Sequence, residues 1–230
     1  MSEVELYLGD CLAEMNKIKD NSIELGFADP PYWVDFDYKN GLSDAQMNYI
    51  EPAKLVNEMR RVSKVVIVTP GISNLYDYPK PDWIYGWFKP GSSRRSRVLN
   101  GFNTWEPVLI YGTPSKRVYQ DSSYLPTVSN LSDSSANFHG CPKPIRLMKD
   151  LITKFTEPGE TVADFMFGSG TTGIAALQLG RKFIGVEIDP TYFNLATKRI
   201  LDAQRAAAGQ NKELKGSTID YVGLPLFSGD

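Results

Sequence analysis

The chain has little with which to hold a metal or tie itself together covalently. Its 230 residues include two cysteines, Cys11 and Cys141, and one histidine, His139. None has partners at metal-ligand spacing, so neither a zinc site nor a disulfide framework is supported, and no metal is expected. Cysteine usage of this kind fits a reducing compartment such as the cytoplasm. No apolar run approaches the roughly 18 residues of a membrane span. The start, Met1-Ser2-Glu3-Val4-Glu5, is acidic and lacks the basic and apolar regions of a secretory signal. Charge of one sign is also missing: the formal net charge is −2, which argues against a protein that coats nucleic acid. Repeats are absent too. What remains is a chain with 42% hydrophobic residues, enough for the core of one domain spanning 1–230.

The charges that are present are unevenly placed. Residues 1–60 hold twelve acidic and five basic side chains, whereas residues 80–117 hold seven basic and two acidic ones. A local basic stretch can track phosphates even in an acidic protein. Lys89, Arg94, Arg95 and Arg97 lie in that stretch, around Pro90-Gly91-Ser92-Ser93, and are the candidate phosphate contacts.

The stretch around which the rest is organised is Asp29-Pro30-Pro31-Tyr32. It follows the apolar run Ile23 to Ala28, which reads as a buried strand closed by a rigid turn. Ligands of open α/β sheets bind at the carboxyl ends of strands, and the prolines hold Asp29 in an extended pose. A carboxylate, a proline carbonyl and an aromatic ring then face one small volume. A planar substrate carrying an amino group fits it: the ring stacks on Tyr32 while Asp29 and the Pro30 carbonyl accept the N–H bonds. Accepting both protons draws the amine's lone pair out of conjugation and aims it at an electrophile. The plain alternative is an Asp-Pro turn capped by a surface tyrosine.

In chain order, Val4 to Leu8 reads as a strand, Cys11 to Lys17 as a short helix, and Trp33 to Asn40 as a loop over the site. Ser43 caps a helical stretch, interrupted at Pro52, that runs to about Ser63. Strands follow at Lys64 to Thr69, Trp83 to Lys89 and Trp105 to Tyr111. Gly112 to Phe138 reads as a long irregular excursion, functional or disordered by its length. Helix follows from Pro144 to Pro158, strand over Thr161 to Met166, helix over Thr171 to Leu179, strand over Lys182 to Ile188, and a long helix from Pro190 to about Ala208. Residues 209–230 read as a flexible tail.

A second chemical stretch, Asp164 to Gly173, again joins a strand, a glycine turn and a helix start. Gly168, Gly170 and Gly173 match G-x-G-x-x-G, and Glu187 closes the next strand 19 residues beyond Gly168. Glycines there allow close backbone approach to a ligand, and the acid can grip ribose hydroxyls. Only a helix and a tail follow Glu187, which leaves little room for the second half of a dinucleotide unless the preceding strands supply it. S-Adenosylmethionine needs one adenosine pocket, and it delivers a methyl group to a nucleophile such as a presented amine.

The two motifs together resemble the amino-methylating DNA methyltransferases, in the beta order that puts Asp-Pro-Pro-Tyr first. Gly9-Asp10, Trp105-Glu106-Pro107 and His139-Gly140-Cys141-Pro142-Lys143-Pro144 add to the resemblance, the last resembling the family's His-Pro-Thr-Gln-Lys-Pro and departing from it at three central positions. The resemblance implies an α/β fold: a permuted Rossmann-like methyltransferase sheet with helices on both faces and one antiparallel strand. It implies S-adenosylmethionine as cofactor and double-stranded DNA as substrate. Asp29, Pro30, Pro31 and Tyr32 would hold the flipped base. Phe167, Gly168 and Gly170, with Asp164 and Thr171 beside them, would line the methionine part of the cofactor site. Glu187 would bind the ribose, and Asp10 and Lys143 would lie at the cofactor's flanks.

Asp in the first position of the tetrapeptide resembles the adenine-N6 enzymes. Cytosine-N4, an RNA or protein acceptor, and a catalytically silent regulator remain alternatives. A solitary enzyme, a restriction-modification member and a phage enzyme would look alike, in a bacterial or phage-infected cell. A homodimer is left open. The tail Tyr221-Val222-Gly223-Leu224-Pro225-Leu226-Phe227 resembles the peptides that dock on the bacterial sliding clamp, with Gly223 where glutamine is usual.

Overall fold

The computed structural model describes residues 3–32, 49–89, 104–114, 124–125 and 142–209. Its elements in chain order are β1 (Val4–Leu8), α1 (Cys11–Met15), β2 (Ile23–Ala28), α2 (Pro52–Val62), β3 (Ser63–Val68), β4 (Trp83–Phe88), β5 (Trp105–Gly112), β6 (Tyr124–Leu125), α3 (Ile145–Phe155), β7 (Thr161–Asp164), α4 (Thr171–Gln178), β8 (Lys182–Glu187) and α5 (Pro190–Ala207). The strands form one sheet in the order β1-β8-β7-β2-β3-β5-β4-β6. Within it β5 runs antiparallel to both β3 and β4, and every other neighbouring pair is parallel.

This is the α/β sheet with one reversed strand that the sequence leads one to expect. The central strands are apolar almost without alternation because both faces are covered. Helices α3, α4 and α5 pack with Leu25, Phe27, Val65, Ile67, Val108 and Ile110 on one face. On the other, α1 and α2 pack with Ala28, Val66, Val68, Leu109, Tyr111 and Val186. Along β3 and β5 alternate residues go to opposite cores, so a one-residue slip would drive each set into the core built for the other.

Helix starts are locally determined. Asp10 caps α1 by accepting from Ala13 N at 3.0 Å, and Asp189 caps α5 through Thr191 N and Tyr192 N at 2.8 and 2.9 Å. Pro52 and Pro190 begin α2 and α5, where a missing N–H costs nothing. Pro52 therefore stands at the start of α2. Ser63 is the first residue of β3, since the backbone passes from helix to strand there with no intervening loop: its N–H still bonds to Met59 O while its φ and ψ are already extended. Tyr124–Leu125 adds a short strand inside the stretch read as irregular. Residues 33–48, including the Ser43 cap, and most of 113–138 lie outside the described residues, as does the tail beyond 209.

The topology sets where a ligand can sit. The chain passes from β2 outward to β3 on one side, while β7, on the other side of β2, leads to β8 and β1. The order therefore reverses between β2 and β7, and in open α/β sheets the crevice at such a point binds the ligand. Phe27 pairs with Asp164 across this junction, so the carboxyl ends carrying Asp29 and the glycine turn are side by side.

Candidate active site

Asp29 leaves the end of β2 into Pro30 and Pro31, which have no N–H to offer. Its carboxylate is held on both oxygens. Oδ1 accepts from Thr69 Oγ1 at 2.5 Å and from the Tyr32 hydroxyl at 3.1 Å. Oδ2 forms an ion pair with the Lys143 ammonium. Thr69 directly follows β3 and is fully buried, and its N–H bonds to Ala28 O at 3.2 Å. The neighbouring parallel strand thus delivers a hydroxyl to the end of β2.

Tyr32 is fixed at both ends. Asn74 Nδ2 donates to its carbonyl at 2.9 Å, and its hydroxyl lies 3.5 Å from Glu106 Oε2. Its ring rests against Gly71, which sits at φ +70 and where a Cβ would approach the ring to 2.8 Å. Only glycine serves at that position, for conformation and for space. Beyond Tyr32, Glu106 of β5 pairs with Lys89, whose ammonium is 5.1 Å from the centre of the Trp87 ring. Two acids and two lysines alternate here with little exposure, so each buried charge has a counter-charge, as burial requires.

The second half of the site lies at the ends of β7 and β8. Gly168 N donates to Glu187 Oε2 at 2.8 Å and Asp189 N to Oε1 at 2.9 Å. Burial raises the Glu187 pKa above the ordinary carboxylate value. Each of its oxygens keeps a further lone pair for a ligand hydroxyl. Gly9 N bonds to Glu187 O at 2.9 Å, which brings the β1 end and Asp10 to the same edge. Asp10 uses one carboxylate oxygen as the cap of α1. The turn Phe167 to Gly170 closes with Gly170 N bonded to Phe167 O at 2.7 Å, and α4 begins at Thr171, whose hydroxyl lies 2.9 Å from that of Ser169. Gly170 takes φ +77. Gly173 serves packing instead, since a Cβ there would lie 2.7 Å from the Phe183 ring.

Asp164 lies between the halves. It is buried, accepts from Met166 N at 3.0 Å, and its pKa is pushed up to about 7, chiefly by loss of solvent and further by the Asp29 and Glu187 charges. Through Met166 N its carboxyl holds the start of the turn that follows β7.

The structure therefore gathers Asp29, Pro30, Pro31, Tyr32 and Lys143 at one end of the crevice, and Asp10, Gly168, Gly170, Thr171 and Glu187 at the other. Phe167 is packed on Phe193 with ring centroids 5.8 Å apart, so what it presents to a ligand is backbone. Lys143 reaches Asp29 and the Tyr32 hydroxyl, at the end of β2. Lys89 is turned inward to Glu106, not outward with a basic surface. Arg94, Arg95 and Arg97 lie outside the described residues, as do His139 and Cys141. Cys11 is buried, and loss of solvent pushes its thiol up to about 12, far from a nucleophile's range. Among the described residues no three His, Cys, Asp or Glu side chains gather as a metal site.

Thr69, Asn74 and Glu106 join the site without having been singled out as site residues. Thr69 could have been found as a hydroxyl ending an apolar strand. Glu106 could have been found as an acid inside an otherwise apolar and aromatic one.

Residues 81–198 match the DNA methylase family of N6 and N4 methyltransferases. The type II methyltransferase M.BglI of Bacillus subtilis is 42% identical over 166 residues, covering 64% of this chain and 46% of that protein. The DNA adenine methyltransferase YhdJ of Escherichia coli K12 is 26% identical, covering 90% of this chain and 86% of that protein. Among solved structures, the M1.HpyAVI–SAM complex superimposes with a TM-score of 0.63 at 18% identity, covering 86% of this chain and 98% of its own. The cytosine-N4-specific PvuII DNA methyltransferase gives 0.64 at 17% identity, covering 92% and 94%. These two share the fold. The family match takes in just over half of the chain, from β4 through the glycine turn to α5, and the end of β2 that carries Asp29 stands beside it in the sheet: the chain belongs to the DNA methylases of the N6/N4 type.

Proposed function

We propose that the protein transfers a methyl group from S-adenosylmethionine to the N6 amine of an adenine flipped out of double-stranded DNA. One observation carries the reading: an amine-accepting carboxylate, Asp29, stands at the end of β2 beside the β7 glycine turn, with the ribose-suited Glu187 one strand further on. The residues fit the cofactor. Glu187 is preset by two backbone N–H groups with lone pairs to spare, and Gly168 and Gly170 bring no side chain to the turn beside it. When bound, S-adenosylmethionine supplies an electrophilic methyl on a sulfonium.

The chain's own residues do the rest. Tyr32 offers a ring on which the extruded base stacks, offsetting part of an extrusion cost of a few kcal/mol. Asp29 and the Pro30 carbonyl accept the two amine hydrogens, freeing the lone pair for attack on the methyl carbon. The amine then carries the positive charge and gives up a proton, which the Asp29 carboxylate, already accepting one of its N–H bonds, can take. Asp10, Asp164, Phe167 and Thr171 complete the cofactor side by shaping its walls.

Adenine is favoured by Asp in the first position of Asp-Pro-Pro-Tyr and by likeness to an adenine enzyme along 90% of this chain. Cytosine-N4 is the second reading, and the fold shared with a cytosine-N4 enzyme keeps it open. Digestion of methylated genomic DNA to nucleosides, with mass spectrometry, separates the two: N6-methyladenine is expected, and N4-methylcytosine would overturn the base. The 89–138 region would read the target, with Arg94, Arg95 and Arg97 on phosphates. Their triple alanine variant should bind duplex with a salt dependence shallower by about one unit for each phosphate no longer neutralised, and an unchanged slope would remove that role. The 221–227 tail would dock on a sliding clamp; equal retention of wild type and a Leu226→Ala, Phe227→Ala variant on immobilised clamp would refute it. Among the described residues no helix is long and apolar enough to cross a membrane, and the proposed setting is the cytoplasm.

A further inference from the structure

The carboxylate that should grip the target amine is already engaged. Asp29 Oδ1 is taken by Thr69 and Tyr32, and Oδ2 by the Lys143 ammonium. That ammonium also lies 3.4 Å from the Tyr32 hydroxyl and 5.6 Å from the centre of its ring. A base that stacks on Tyr32 and donates to Asp29 must therefore enter space held by a group that does both. The likeness is chemical as well as spatial, because an ammonium and an exocyclic amine each donate N–H to the same oxygen.

Their charges differ, and this decides whether Lys143 can stay. Methyl transfer builds positive charge on the amine nitrogen, and a fixed ammonium beside it would oppose that charge. The Lys143 side chain is 8% exposed, so it is built into the site and does not lie loose on the surface. Its backbone is anchored by Pro144, the N-cap of α3, and α3 packs firmly through Leu147, Met148 and Leu151. The movable part is the four-carbon stem, which can swing without disturbing the helix.

Resting on the reading of Asp29 as amine acceptor, we propose that Lys143 plugs the base pocket. Its ammonium occupies the amine-accepting oxygen while the site is empty and leaves when the flipped base arrives. Lys143 is thus a positioning residue acting through Asp29. It keeps a half-buried carboxylate neutralised between turnovers, and it weakens apparent affinity for DNA, because only the fraction of molecules with the plug withdrawn can accept a base.

Lys143→Met tests this in the full chain, with unmethylated genomic DNA as substrate and cofactor binding measured separately by calorimetry. Removing the plug should lower KM for DNA by roughly three- to tenfold and leave the cofactor Kd unchanged. A higher KM would make Lys143 a substrate contact, and a weaker cofactor Kd would return it to the cofactor's flank; either result, or no change in both, overturns the proposal. Should the methionine variant fail to fold by circular dichroism, Lys143→Arg decides. A guanidinium grips a carboxylate through two N–H groups, so KM should rise, and an equal or lower KM would overturn the plug. Wild-type protein that methylates no DNA at all would instead remove the reading on which the plug rests.

Discussion

Asp29→Asn is expected to lower the rate of methyl transfer by about 10²- to 10³-fold, the loss typical of removing one preorganised polar group from a reacting centre. The substitution keeps the side chain's shape and removes one acceptor. If the amide oxygen faces Thr69 and Tyr32, as their two hydroxyls require, the amide NH₂ faces the incoming amine and sets donor against donor. If it flips, the hydroxyls lose their acceptor instead. Neither arrangement draws the amine's lone pair out of conjugation. The Lys143 ammonium also loses this counter-charge in a poorly solvated place, so stability should fall by about 1–3 kcal/mol. Cofactor affinity should stay at the wild-type value, because Asp29 is not placed on the cofactor side. Single-turnover rates and calorimetry on the same preparation check both parts, and a rate within tenfold of wild type would mean that Asp29 does not hold the amine.

Glu187→Gln should do the reverse. Its carboxylate accepts Gly168 N and Asp189 N on separate oxygens, and an amide can satisfy only one of them. The other N–H is left in a buried position at a cost of about 1–3 kcal/mol, which loosens either the glycine turn at Gly168 or the start of α5 at Asp189. The ribose hydroxyls lose a charged acceptor as well. A loss of about 1.5–3 kcal/mol for hydrogen bonds to a charged group is about ten- to a hundredfold in Kd, so cofactor binding by calorimetry should weaken by that factor. Single-turnover transfer at saturating cofactor should change far less. Together the two substitutions separate the crevice into its halves: one variant binds cofactor and cannot transfer, and the other transfers once cofactor is forced on. A Glu187→Gln protein with unaltered cofactor affinity would leave the acid as a support of the turn alone.

What the sequence reveals of this site is what short stretches of chain decide. Asp29-Pro30-Pro31-Tyr32 and the turn from Asp164 to Gly173 are each local: a strand, a break and the residues at the break. Their spacing and the closing Glu187 suffice to suggest a base pocket and an adenosine pocket. The partners that hold Asp29 are of another kind. Thr69, Lys143 and, through Tyr32, Glu106 reach the site across separations of 40, 114 and 74 residues, and only the sheet order brings them together. Lys143 illustrates this: a motif places it near a ligand, but which ligand depends on where α3 sits relative to β2. Lys89 does so in the other direction. Its charge and position in a basic stretch suggest a phosphate contact, whereas the register of β4 with β5 sets Trp87 opposite Glu106 and turns the lysine inward to that acid. Helix α2 running directly into β3 at Ser63 hides its boundary for a similar reason, since no turn residue marks the change.

The proposed chemistry depends above all on DNA as the acceptor and on Asp29 as the group that presents the amine. Labelled methyl transfer from S-adenosylmethionine, run in parallel on unmethylated duplex DNA, RNA and a protein mixture with wild type and Asp29→Asn, tests both at once. Label entering DNA alone, and falling by about two or more orders of magnitude in the variant, is the predicted result. Label entering RNA or protein in preference to DNA, or entering DNA equally with both enzymes, would contradict it.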